Sequence, residues 1–107
     1  MDTSMTPRRR GAPGLKVTSL PYEVKVYLNN QVLIPASLVR ALGLRNARAV
    51  RVTLEYGGEE FSLEARLLRT RYTDSRQFTI PRSVREKYGV VPGAIVKVKK
   101  IEPLEED

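Results

Sequence analysis

Arginine is the residue type through which this chain can do chemistry. Thirteen of its 19 basic side chains are Arg, and the formal net charge is +7. Between residues 66 and 87 the net charge is +5, and the basic residues there are Arg66, Arg69, Arg71, Arg76, Arg82, Arg85 and Lys87. Because the guanidinium fork matches phosphate oxygens and the edge of guanine, this segment predicts a surface that binds double-stranded DNA. The alternative is a basic surface that is merely solvated.

The two termini carry opposite charge. Residues 1–14 contain Arg8, Arg9 and Arg10 between Pro and Gly residues and show no periodicity, so we expect a flexible basic arm that can contact DNA. Residues 102–107 contain four acidic side chains, which predicts a short disordered acidic tail.

The absence of both Cys and His excludes many kinds of site. Thiol nucleophiles, disulfides, zinc centres and imidazole acid–base catalysis all require one of these residue types. The chain also lacks a phosphate-binding loop and a dinucleotide-binding glycine pattern. We therefore expect a protein that is not an enzyme and uses no cofactor or metal. The glutamates around Gly57-Gly58 are interpreted as an acidic pole of the surface, formed by Glu55, Glu59, Glu60 and Glu64.

The composition also bears on location. Apolar runs such as residues 32–34 are far too short to cross a bilayer, and the polar start is not that of a secretory signal. A cytoplasmic protein without a membrane partner is the expectation.

An internal repeat with an offset of 46 residues organises the chain. It aligns residues 31–43 with residues 77–89 without a gap, and the matching positions include Ile34-Pro35 with Ile80-Pro81 and Gly43 with Gly89. In each copy, alternating apolar residues predict a strand, and the Pro that follows is suited to the first position of a helix. The Gly is suited to a left-handed C-terminal cap. We expect helices over 35–42 and 81–88, and a turn at Pro92-Gly93.

A hairpin is predicted between the two copies. Gly57-Gly58 accepts the positive φ angles of a two-residue turn, and pairing Tyr56 with Glu59 brings Arg51 opposite Glu64. A two-residue turn at Asn29-Asn30 does not give a matching register, because it would pair Lys25 with Ile34. The first two strands are therefore expected to meet through a bulge or to pair with other strands.

The predicted fold is mainly β, with six strands and two short helices closed into a barrel of approximate two-fold symmetry. The strands are expected at about 22–28, 31–34, 48–56, 60–71, 76–80 and 94–101. The barrel domain would span residues 15–101, with its copies at about 22–56 and 66–101. Because one chain contains both copies, we expect a monomer rather than a dimer.

Residues 77–98 resemble the swapped-hairpin DNA-binding domain of the AbrB/SpoVT and MazE type. The pattern of that family is an apolar strand, Ile-Pro, a short helix, Leu-Gly, Pro-Gly-Asp and a second strand. The second copy follows this pattern closely up to Pro92-Gly93. The first copy has Arg45-Asn46-Ala47 where Pro-Gly is usual. The chain is similar to a fused pseudo-dimer, as in single-chain cradle-loop barrels of the RIFT and double-psi types from archaea. The resemblance covers about residues 22–101. It implies DNA contacts from basic residues before Ile80-Pro81 and on the following helix.

The sequence therefore predicts a small transcription regulator or chromatin-associated protein. Two other functions stay open. One is a protein-interaction module, antitoxin-like or an adaptor, whose basic face binds an acidic protein. The other is a nucleotide-dependent enzyme on the same barrel.

Overall fold

The computed structural model describes residues 17–70 and 72–104, which form nine elements of secondary structure. Seven are strands and two are short helices, so the predicted mainly β class is confirmed. In chain order they are β1 (Tyr22–Lys25), β2 (Gln31–Ile34), α1 (Ala36–Ala41), β3 (Ala49–Tyr56), β4 (Glu59–Arg66), β5 (Leu68–Arg69), β6 (Arg76–Thr79), α2 (Arg82–Tyr88) and β7 (Ile95–Pro103).

The strands pair in two antiparallel sheets, with the orders β1-β7-β3-β4 and β2-β6-β5. The hairpin of β3 and β4 has the predicted register, because Tyr56 faces Glu59 and Arg51 faces Glu64. Gly57 and Gly58 have φ angles of 64° and 81°, which only glycine adopts without cost. As expected from the failed turn test, β1 and β2 do not pair with each other but with β7 and β6.

The pairing of β2 with β6 follows the symmetry of the repeat. Val32 lies directly opposite Phe78, its equivalent in the other copy. Gln31 faces Thr79 and Leu33 faces Gln77, and these two pairs exchange when the copies are interchanged. β3 and β7 are also equivalent strands and pair with each other, with a β-bulge at Thr53/Leu54. A pseudo-two-fold axis therefore passes through both sheets.

A single hydrophobic core joins the two sheets and both helices. Its largest fully buried side chains include Phe78, Ile34, Leu38, Leu44 and Leu54. Both copies supply this core, so each copy buries its apolar face on the other, as the subunits of a dimer would. No helix in residues 17–70 and 72–104 is long and apolar enough to cross a membrane.

Both helices begin one residue later than predicted. Pro35 and Pro81 have ψ angles of 151° and 149°, so each is the extended residue before the first helical turn. The strand conformation of the preceding residues continues through the Pro. Gly43 and Gly89 have φ angles of 69° and 72°, which confirms the left-handed ends.

Two strand ends also differ from the prediction. The expected strand 60–71 is divided at Leu67 into β4, which pairs with β3, and β5, which pairs with β6 in the other sheet. β7 continues to Pro103, two residues into the predicted acidic tail, because β3 offers ladder partners as far as Val50. The ladders of the described residues form one sheet of four strands and one of three, and they do not close into a single six-stranded barrel, so the barrel stays a prediction.

The copies differ in the connection that leads to their Ile-Pro strand. Tyr22 pairs with Val98 and Leu63 pairs with Val52, and these are equivalent positions across the axis. Nine residues lead from Tyr22 to Gln31, whereas fourteen lead from Leu63 to Gln77. The second copy thus contains a five-residue insertion, and this longer connection contains β5 and the loop 70–75.

Candidate nucleic-acid interface

Exposed arginines from both copies line one cleft of about 360 Å³. We call it the cationic cleft, and its lining residues are Arg45, Asn46, Ala47, Arg48, Arg66, Leu67, Arg69 and Arg76. Arg45, Arg48, Arg66 and Arg69 are all exposed, and no described residue of the lining is acidic. The cleft therefore concentrates four accessible guanidinium groups on one concave surface.

Backbone pairing brings the two sides of this cleft together. Arg45 and Arg48 lie in the turn between α1 and β3, whereas Arg66 and Arg69 lie at the end of β4 and on β5. The bond from the Leu67 amide to the Arg48 carbonyl ties the turn to the strand break, and Ala49 faces Arg66 in the ladder. Copy one thus supplies one wall of the cleft and copy two supplies the other.

Arg76 supports this cleft from beneath. Its side chain is almost fully buried, at 2% exposure. Nη1 donates to the carbonyls of Asp74 (2.7 Å) and Ser75 (3.0 Å), and Nη2 donates to the carbonyl of Arg45 (3.1 Å). A guanidinium held in this way cannot reach a base edge without leaving the core, so the predicted DNA contact of Arg76 does not fit its position. Arg76 instead connects the loop 70–75 to the turn at Arg45.

A second groove adjoins the cationic cleft and shares Arg69 with it. We call it the tyrosine groove; it is open to solvent, has a volume of about 640 Å³ and is lined by Ala36, Arg40, Arg69, Thr70, Tyr72, Thr73 and Asp74. Helix α1 forms one wall and the inserted connection forms the other. A third, shallower cleft shares Arg66 and reaches Pro81, at the start of α2.

Asp74 is the one acid among the described residues that line either of the first two grooves. One carboxylate oxygen lies 3.2 Å from Arg40 Nη1, and the other lies 3.6 Å from Arg45 Nε. These partly exposed ion pairs contribute little stability, but they hold Arg40 and Arg45 beside the loop. Five exposed guanidiniums against one carboxylate leave the joined grooves strongly positive.

The predicted basic residues of α2 lie elsewhere. Arg82 Nε is 2.9 Å from Glu86, and Arg85 Nε donates to the carbonyl of Ile80 at 2.9 Å. Lys87 Nζ lies 5.4 Å from the ring centroid of Tyr88. None of these three residues is among the described residues that line the first two grooves. Arg71 and the predicted arm residues Arg8, Arg9 and Arg10 lie outside the described residues.

Arg40, Arg45 and Arg48 were missed by the sequence reasoning, which sought neighbours within one copy. The swapped pairing instead sets the helix and turn of copy one beside the long connection of copy two. One signal was available: Arg45 and Arg48 flank Asn46-Ala47, the two positions where the second copy has Pro92-Gly93. Two arginines around a turn without Pro-Gly are a signal for a basic surface at this turn.

The pseudo-symmetric surface in the other half of the molecule has a single lysine in place of the four arginines of the cationic cleft. The ladder makes Lys25 the equivalent of Arg66, since Lys25 faces Ile95 as Arg66 faces Ala49. In the same register Leu28 replaces Arg69, and Leu28 is 91% exposed. Val91, which is also exposed, replaces Arg45. The arginine-lined surface therefore exists in one copy of the repeat interface only.

The acidic pole lies on the β3–β4 hairpin. Lys99 Nζ is 3.3 Å from Glu60 and 3.5 Å from Glu55, and the hydrogen bond to Glu60 raises the pKa of Lys99. Arg51 Nη2 donates to Glu64 at 2.7 Å, and this bond raises the pKa of Arg51. Basic partners thus neutralise several of these carboxylates. Within the described part of the chain, no group of three or more acidic residues is arranged to hold a metal ion.

Comparison with known proteins gives a likeness in fold. No protein-family model matches the chain, and no curated protein matches it significantly. The chain is similar to the solution structure of PHS018 from Pyrococcus horikoshii, with a TM-score of 0.57 and 20% sequence identity. The match covers 86% of this chain and 100% of PHS018. At this identity the two proteins share a fold, and nothing about function passes from one to the other.

Proposed function

We propose that this protein binds double-stranded DNA through the cationic cleft, as a small transcription regulator or chromatin-associated protein. The observation that carries the proposal is the set of four exposed guanidiniums that line one concave surface without an acidic neighbour in its lining. Like charges held close together repel one another, and a bound polyanion relieves that repulsion. Arg is also better suited than Lys to the paired oxygens of phosphate.

A linear polyanion fits the layout better than a small anion. The cationic cleft continues through Arg69 into the tyrosine groove, whose lining adds Arg40, so the positive surface is extended in that direction. DNA presents phosphates at regular spacing along such a surface, and each neutralised phosphate releases condensed counterions. Contacts of this kind supply affinity and orientation, whereas sequence preference requires one of the arginines to reach a base edge.

The resemblance to the AbrB type supports the same proposal and suggests how the fold is related. We infer that the two sheets correspond to a cradle-loop barrel in which two fused copies replace a dimer. The pairing of equivalent strands across the pseudo-two-fold axis supports this relation. Because the arginines belong to one half only, a single chain would bind one duplex segment asymmetrically, and its target would not need to be palindromic.

The test is a titration of random-sequence duplex DNA by fluorescence anisotropy over a range of salt concentrations. With about four phosphates neutralised, log affinity should fall with log salt with a slope of about −3 to −4. Arg48→Ala and Arg66→Ala should each weaken binding to every sequence and flatten the slope by about one. Arg51→Ala is the matched control, because that exposed arginine is paired with Glu64 and lies outside the grooves.

Two results would overturn the proposal. One is an absence of duplex binding at low salt, and the other is an Arg48/Arg66 double variant that binds as tightly as the unmodified protein. If polyglutamate binds to the same arginines and DNA does not, the basic surface serves an acidic protein partner instead.

A further inference from the structure

The described residues of the inserted connection are linked to one another and to copy one by several hydrogen bonds and ion pairs. The hydroxyl of Thr70 lies 2.7 Å from that of Thr73 and also hydrogen-bonds Ser75, and the hydroxyls of Thr73 and Ser75 are 2.6 Å apart. Beyond them, the Asp74 carboxylate is paired with arginines of copy one, and the Asp74 carbonyl accepts from the buried guanidinium of Arg76. The loop is therefore a built wall of the tyrosine groove.

Tyr72 is presented by this loop in an unusual way. Its φ angle is +63°, in the left-handed region, which is unfavourable for a bulky side chain. Its side chain is 94% exposed although it lines the groove. The fold thus presents a large, exposed aromatic ring in the groove that Arg69 and Arg40 also line. Aromatic rings and arginines in one groove can bind nucleotides by base stacking and phosphate contact.

We propose that the tyrosine groove binds an unpaired nucleotide of the DNA, with its base stacked on Tyr72 and its phosphate beside Arg69 and Arg40. The bases inside an intact duplex are stacked on both faces, so a side-chain ring can stack only on a base that is terminal, flipped out or single-stranded. The groove has a volume of about 640 Å³ and is widely open to solvent, so a nucleotide can enter it while still attached to its strand.

The shared arginine connects this site to the proposed function, on which the inference rests. Arg69 lines both the cationic cleft and the tyrosine groove, so a backbone that follows the cleft arrives directly at Tyr72. The preferred ligand is then a junction, in which duplex phosphates occupy the cleft and the first unpaired nucleotide occupies the groove.

The experiment compares a blunt duplex with the same duplex extended by a short single-stranded thymidine overhang. Stacking of one base on an aromatic ring corresponds to roughly a 5- to 150-fold gain in affinity, and we expect the overhang to bind tighter by a factor in this range. Tyr72→Asn should abolish the gain and leave blunt-duplex affinity unchanged, whereas Tyr72→Trp should preserve it. Asn tolerates the left-handed conformation, so the first variant should fold normally. Tyr27→Asn, at an exposed tyrosine in the other half of the molecule, is the matched control.

The possible results separate this inference from the proposed function. Equal affinity for the blunt and extended duplexes, or an overhang gain that survives Tyr72→Asn, overturns the nucleotide site while DNA binding by the cationic cleft stands. If neither ligand binds at low salt, both proposals fall. A gain that is lost in Tyr72→Asn and retained in Tyr27→Asn supports the site.

Discussion

Replacement of Arg76 by Met should destabilise the fold and should not act as the loss of a DNA contact. Met keeps the apolar stem but removes a guanidinium that donates to three backbone carbonyls, at 2.7, 3.0 and 3.1 Å. A buried acceptor left without its hydrogen bond costs about 1–3 kcal/mol. The low end of this range, about 1 kcal/mol for each of the three carbonyls, gives about 3 kcal/mol in total. For a chain of this size that lowers Tm by roughly 10–20 °C.

The measurement is thermal unfolding followed by circular dichroism, with Arg66→Met as the control. Arg66 lines the same cleft but is exposed, and its loss should change Tm by no more than a few degrees. If Arg76 instead contacted base edges, Arg76→Met would leave Tm unchanged and would reduce the preference for a DNA sequence. An Arg76→Met variant that melts within about 3 °C of the unmodified protein would refute the supporting role assigned to this side chain.

Four further outcomes follow from the structure. Gly89→Ala should cost about 1 kcal/mol through its positive φ alone, since a Cβ there meets no other atom within 4 Å; an unchanged urea midpoint would contradict this. Burial raises the pKa of Tyr22, so the neutral phenol stabilises the folded state fully below about pH 10, and this stabilisation should fade as the pH rises further. In urea titrations, Tyr22→Phe should remove this part of the loss of stability at alkaline pH. An identical pH dependence in both proteins would contradict the prediction. Asp74→Asn should strengthen duplex binding severalfold at low salt and steepen its salt dependence, because it removes the carboxylate from the tyrosine groove. Weaker binding would instead show that the ion pairs of Asp74 are needed to position Arg40 and Arg45. Light scattering at micromolar concentration should show a monomer, and an obligate dimer would contradict the fused arrangement.

Local chemistry was enough to predict the hairpin and the helix ends. Gly57-Gly58 determined the register of β3 and β4, because a two-residue turn with positive φ permits only one alignment of the flanking alternation. Gly43 and Gly89 marked the helix ends for the same reason, since few other residues adopt the left-handed conformation. These features depend on residues adjacent in sequence, so a single chain was sufficient to predict them.

The composition of the site was not predictable in the same way. In the sequence, the basic residues from Arg66 to Lys87 form one continuous cluster of charge, but in the fold they lie in different environments. Arg66 and Arg69 line the cationic cleft, Arg76 turns inward, and Arg82 and Arg85 use their Nε atoms on Glu86 and the Ile80 carbonyl. Sequence spacing could not predict which of these arginines are exposed, buried or paired. The side of a short strand or helix that becomes buried depends on how the other copy packs against it. The same dependence hid Arg45 and Arg48.

The asymmetry between the halves follows from having both copies in one chain. In a dimer of identical subunits, every substitution appears twice, so an arginine placed on one side of the axis is also placed on the other. A fused pair removes this constraint, and here one repeat interface has Arg45, Arg66 and Arg69 where the other has Val91, Lys25 and Leu28. The five-residue insertion that presents Tyr72 is likewise confined to one copy. One chain with two copies can thus keep the core pairing of both halves while only one half has the arginine-lined cleft, and on this basis we expect the proposed DNA ligand to bind once per chain.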